Sequence, residues 1–122
     1  MMTLAEFNER FVYTPDRGRD RWSILTAPTG PLYGDCEDYA LTVLWIEAGC
    51  SEPDMHRMVR RGGAALWFTH TPPPRNIGHM MLWRRGKGWI DNNHPHWSKT
   101  ARYPKEDRIE WPIFEARLWL KG

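Results

Sequence analysis

The chain predicts an α+β fold in which helices come first and an antiparallel sheet follows. Three observations carry that expectation. Residues up to about 61 place apolar side chains at three- and four-residue steps between helix caps, while residues beyond 64 change to short strand-length runs bounded by Gly, Pro and Asn. The 122 residues suffice for one hydrophobic core, so 1–122 is read as a single domain. With 41% hydrophobic residues, 13% aromatic residues and eight Trp, that core can be large for the length, unlike an aromatic-poor disordered segment.

Each element has a local cause. Thr3 and Glu6 stand at capping-box spacing, and Leu4, Phe7 and Phe11 recur at helical intervals, which predicts a short helix over 3–11 that Pro15 ends. Residues 16–21, from Asp16 to Arg21, read as a solvated loop. Pro28, Gly30, Pro31 and Gly34 make residues 22–34 irregular. From Asp35 to Ala48, Tyr39, Ala40, Val43, Leu44 and Ala48 share one helical face, with Asp35 as N-cap and Gly49 as stop. Ser51-Glu52-Pro53-Asp54 is a second capping signal with Pro in the first turn, opening a helix through Arg61 that Gly62 and Gly63 close. Ala64 to Thr69, Ile77 to Arg84 and Gly88 to Asp91 read as strands, the last two joined by a hairpin turn at Arg85-Gly86-Lys87-Gly88. Pro72-Pro73-Pro74 is a rigid connection, and Ile109 to Leu120 is expected as one or two strands around Pro112.

The chemistry concentrates on Cys36, which the predicted caps place at a helix start. Unpaired N–H groups and the helix dipole there stabilise a thiolate, from an ordinary thiol pKa of about 8.5 toward neutrality. Asp35, Glu37 and Asp38 oppose this by adjacent negative charge, so a counter-charge is required. His79 emerges from the apolar run Ile77-Gly78-His79-Met80-Met81-Leu82-Trp83, and Asp91 lies at the end of the next strand, where the hairpin brings it beside His79. Nucleophile, base and a carboxylate that orients the base are thus arranged as helix, strand and neighbouring strand. The Cys36 backbone N–H is one candidate oxyanion donor, and the Trp22 indole or a backbone amide of residues 22–34 is a candidate second.

At these residues the sequence resembles a known family. Gly34-Asp35-Cys36-Glu37-Asp38-Tyr39-Ala40 is similar to the nucleophile motif of bacterial transglutaminase-like cysteine proteinases, the group that includes periplasmic proteases releasing biofilm adhesins. Gly78-His79-Met80 and Trp89-Ile90-Asp91-Asn92 resemble the second and third motifs in the expected order. The likeness runs from about Tyr33 to Asn93 and implies a papain-like core with Cys36, His79 and Asp91 as triad. It also implies calcium at the positions of Asp35, Glu37 and Asp38, where clustered carboxylates suit a hard cation that would relieve the repulsion against the thiolate. No cofactor is needed for the chemistry itself.

Cleavage of a peptide or isopeptide amide through a thioester is therefore expected, on a protein, peptide or peptidoglycan-peptide substrate. A non-catalytic transglutaminase-like structural or virion-assembly protein is the alternative. Net charge is +2 with 13 Arg among 17 basic residues; this favours mildly anionic partners, and the absence of a long basic block speaks against nucleic acid. Apolar runs of about five residues fall far short of the roughly 20 that span a bilayer. The first residues lack the basic start and apolar stretch of a signal peptide, so a bacterial host cytoplasm or a virion is the expected location. Two cysteines cannot build a disulfide scaffold, and Cys50 reads as a small packed residue. His70 and His94-Pro95-His96 form no familiar metal pattern. Trp83-Arg84-Arg85 and the segment Trp97 to Arg102 read first as a packed sheet with Arg outside, and second as a groove for an anionic or glycan ligand.

Overall fold

A computed structural model describes residues 1–15, 22–110 and 113–114. Helix α1 (Leu4–Arg10) starts where Thr3 accepts the Glu6 N–H, and buries Phe7. It passes directly into β1 (Phe11–Tyr13), which pairs in parallel with β2 (Leu32–Gly34). Neither three-residue strand is visible in the sequence pattern, because each is too short to show alternation. The predicted loop over 16–21 lies outside the described residues.

Helix α2 (Cys36–Glu47) begins as predicted, on Asp35. Its capping box is complete: the Asp35 side chain accepts from the Glu37 and Asp38 amides, and the Asp38 carboxylate accepts from the Asp35 amide. Tyr39 through Leu44 are all buried, so this helix is covered on several sides rather than along one stripe. Its flank is closed by the segment after residue 22, where Ser23 N–H donates to Asp38 Oδ1 at 2.8 Å and Leu25 N–H to Thr42 Oγ1 at 2.9 Å. Helix α3 (Glu52–Arg60), capped by Ser51, buries only Met55 and Val59.

The rest is a sheet with strand order β6-β5-β4-β3-β7, every pairing antiparallel. Strands β3 (Ala64–His70), β4 (Gly78–Arg84) and β5 (Gly88–Asp91) follow the predicted segments closely. Gly88 is required at the β4–β5 turn: its φ is +96° and a Cβ there would overlap the Ser98 carbonyl. Strands β6 (His94–Ser98) and β7 (Asp107–Arg108) are additions to the prediction, since neither has an apolar alternation of its own. The observed architecture is α+β, helices before an antiparallel sheet.

Register divides the sheet into two faces. Ala64, Leu66, Met80, Leu82 and Ile90 join Tyr39, Ala40, Val43 and Leu44 of α2 in the core. Ala65, Trp67, His79, Met81, Trp83 and Trp89 point the other way. At the carboxyl end the structure departs from the expected strand over 109–120. Ile109 N–H bonds Leu66 carbonyl, but Ile113 and Phe114 form a helical turn whose amides both donate to the Glu110 carbonyl. Phe114 thereby stacks near Trp22 and His56 in the core, burial that a straight strand would not provide. Residues 111–112 and 115–120 lie outside the described residues. Among the described residues, no helix is long and apolar enough to cross a membrane.

Candidate active site

Cys36 occupies the first position of α2, as its caps predicted. Gly34 before it has no room for a side chain, since a Cβ would stand 2.8 Å from Asp38 Cβ and 3.0 Å from Leu25. The glycine lets β2 turn tightly onto the helix start. The backbone N–H groups of Met80 and of Cys36 itself act on the thiol and lower its pKa, so the sulfur lies near β4. Met80 belongs to the core face packed on α2 whereas His79 lies on the opposite face, and among the described residues no hydrogen bond joins Cys36 to His79.

The thiol's electrostatics are unfavourable for a free thiolate. Burial first, then the negative charges of Asp35 and Glu37, push its pKa up to about 12, against the lowering effect of the two N–H groups. The helix-start expectation of a lowered pKa is therefore outweighed: burial and two adjacent acids exceed what the backbone amides supply.

His79 and Asp91 are brought together. The two are 4% and 1% exposed, and His79 Nε2 lies 3.1 Å from Asp91 Oδ1. The ring N–H is angled off the oxygen, so this is a close charge contact rather than a straight hydrogen bond. Asp91 is otherwise well held, because its Oδ1 accepts the Asn93 amide at 2.9 Å and the His94 amide at 3.1 Å across the β5–β6 turn. Burial alone would raise its pKa; the contact with His79 and the charges of His79 and His94 together bring it below the ordinary carboxylate range.

Three neighbours were not singled out by the sequence. His94 Nδ1 approaches the same carboxylate at 3.2 and 3.3 Å, so Asp91 serves two imidazoles. Tyr103 lies edge-on to both rings, with centroids 5.0 Å from His79 and 5.4 Å from His94, and covers the imidazole. Tyr13 is set beside Gly34 by the β1–β2 register, and its phenol is raised by burial and then by Cys36 and Asp35. A cleft of about 170 Å³ opens between Tyr13, Arg75, Ile77, Gly78, His79 and Asn92. Asn92 Oδ1 is buried without a hydrogen-bond partner. None of His94, Tyr103 and Tyr13 was read as part of this site in the sequence, because a turn, the β6–β7 connection and a three-residue strand bring them to it.

Trp22, the candidate oxyanion donor, is 1% exposed with its ring 6.4 Å from Phe114, within the core. Asp35 Oδ1 and both Asp38 carboxylate oxygens accept backbone amides, and among the described residues no three His, Cys, Asp or Glu side chains converge as a metal site. The capping box thus competes with calcium for these carboxylate atoms.

Comparison of the chain with protein-family models, with curated proteins and with solved structures gives no match.

Proposed function

We propose that the protein is a cysteine hydrolase with a papain-like, transglutaminase-like core, cleaving a peptide or isopeptide amide with Cys36 as nucleophile, His79 as general base and acid, and Asp91 as orienting carboxylate. The observation that supports this is the buried His79–Asp91 contact of 3.1 Å, on a sheet whose strand β4 packs on the helix that Cys36 opens. A carboxylate buried this deeply is costly unless paired, and here it faces His79 Nε2, which leaves Nδ1 as the nitrogen assigned to proton transfer in this reading.

The high thiol pKa dictates the order of events. The sulfur reacts from its protonated form: as the S–C bond to the carbonyl carbon forms, the thiol proton passes to His79 Nδ1. The Cys36 backbone N–H supports the oxyanion. His79 then gives its proton to the departing amine as the C–N bond breaks, leaving a thioester. Water adds to the thioester with His79 as base, and the proton returns to sulfur as the acid product leaves.

The protonated thiol and covered imidazole favour a second reading, in which the same scaffold serves assembly without turnover. One experiment separates the two. The wild-type chain and Cys36→Ala are incubated with an unstructured polypeptide and with purified peptidoglycan, and new amino termini are counted. Cleavage of either by the wild type alone supports the hydrolase and names its substrate class; identical traces from both proteins on both substrates refute it.

A further inference from the structure

A cavity of about 470 Å³ lies away from the polar cleft. It lies on the outer face of the sheet, on the side that carries His79, and about 13 Å further along β4 at the strand rise of roughly 3.3 Å per residue. Its floor is Ala65, Trp67, Trp83 and Trp89, which the strand register places on one face. Its rim is Arg85, Lys105 and Arg108, all exposed.

Two features distinguish these cations from the others on the sheet. Arg84 and Lys87, which turn toward α2, are both neutralised by Glu47. Among the described residues, no carboxylate lies within ion-pair distance of Arg85, Lys105 or Arg108. Three positive charges therefore surround an aromatic floor with no carboxylate partner among the described residues. Lys105 Nζ stands 5.7 Å over the Trp89 ring, and Trp67 and Trp89 are tilted by 60°, so Trp89 is closed while Trp67 and Trp83 stay half-exposed.

The lining also selects among anions. Its side chains supply ring faces, an indole N–H and cationic donors, and not one side-chain acceptor. A sugar's hydroxyl donors would find no side-chain partner, whereas a phosphate is acceptor-only and a nucleobase needs mainly a face to stack on. Guanidinium groups also match phosphate geometry. The volume is within the range of small-ligand sites.

We propose that this groove binds a phosphate-bearing nucleobase, the ring stacked on Trp67 or Trp83 and the phosphate held by Arg85, Lys105 and Arg108. The ligand is a free nucleotide or the unpaired end of a strand. The three cations come from a turn, a connection and β7, which is why no basic block marks them in the sequence.

Calorimetric titration of the full chain tests this with four probes: adenosine monophosphate, a ten-residue oligothymidylate, inorganic phosphate, and a glutamate-rich peptide containing one tyrosine. Saturable binding of either nucleobase probe, weakening as salt rises and at least tenfold tighter than phosphate, supports the site. Equal affinity for both nucleobase probes identifies a mononucleotide pocket; binding of the oligomer alone identifies a strand. Trp83→Leu should weaken binding roughly 5- to 100-fold. Arg85→Gln and Arg108→Gln, at exposed positions, should weaken it and flatten the salt dependence. The proposal is overturned if neither nucleobase probe saturates below millimolar concentration, if phosphate or the acidic peptide binds as tightly, or if none of the three variants alters the affinity.

Discussion

The two ends of the sheet's outer face differ in how their charges are kept. Around His79 the titratable groups are buried and shared: Asp91, 1% exposed, is in contact with two imidazoles and two backbone amides. Around Trp83 the charges are exposed and, among the described residues, without a carboxylate partner, while the rings beneath them are only half covered. A buried charge fixed on every side has one geometry available to it, which suits a reacting group. Exposed cations over open rings gain partners only from outside. The contrast teaches that one face can carry titratable groups compensated within the chain beside cations that have no carboxylate partner among the described residues.

The strongest way to break this contrast is at the sulfur. Cys36→Ala should remove at least 10³-fold of any amide cleavage while leaving binding in the indole groove unchanged. Loss of both would show that the two ends are one site. Asp91→Ala should be the most damaging change for stability, at about 3–5 kcal/mol in urea unfolding, because it leaves two imidazoles and two turn amides without their acceptor. An effect below 1 kcal/mol would mean that the buried network is not what holds the β5–β6 turn.

Gly34→Ala probes the tightness of the helix start. The added Cβ would stand 2.8 Å from Asp38 Cβ, and overpacking of this kind costs about 1–3 kcal/mol. Asp38 itself gives a pH signature. Burial first, with the Asp35 charge added and the Ser23 amide opposing, raises its pKa from 3.8 to about 6. A raised carboxyl contributes stability that is full below the unfolded value of about 3.8 and lost as pH rises through about 6. The difference in Tm between the wild type and Asp38→Asn should therefore shift in favour of the variant from pH 4.5 to 7. A difference that is flat with pH would place Asp38 in an environment no more buried than an ordinary helix cap.

Legibility follows sequence distance. Helices α2 and α3 and strands β3, β4 and β5 could be read because each carries its own caps or apolar period, and the Gly34 to Ala40 motif has its cause within seven residues. The contact between His79 and Asp91 was legible because a single hairpin joins them. What the sequence did not show depends on long connections. Tyr13 arrives through a three-residue parallel pair, and Tyr103 lies in the connection that links β6, at one edge of the sheet, to β7 at the other. The thiol's pKa was expected to fall toward neutrality; the opposing acids Asp35 and Glu37 were legible, but burial, the largest cause of its rise, appears only once α2 is packed on β4. The strand expected over 109–120 failed at Ile113 and Phe114 for the same reason, since the helical turn is selected by the core site that Phe114 fills beside Trp22.

The smallest expected effect is the one that most sharpens the contrast. Arg85 donates to the Gly62 carbonyl at 3.4 Å and has no carboxylate neighbour among the described residues, so its charge gains little from the folded chain. Arg85→Gln should change unfolding free energy by less than about 0.5 kcal/mol, as exposed substitutions away from a network do. Arg84→Gln, one residue earlier, breaks an ion pair with Glu47, whose side chain is 9% exposed. It should therefore cost more than Arg85→Gln, with Lys87 as the only remaining cation on that carboxylate among the described residues. Equal losses from the two variants, read from urea midpoints at constant m, would mean that Arg85 is bound within the fold after all and is not held ready for a ligand.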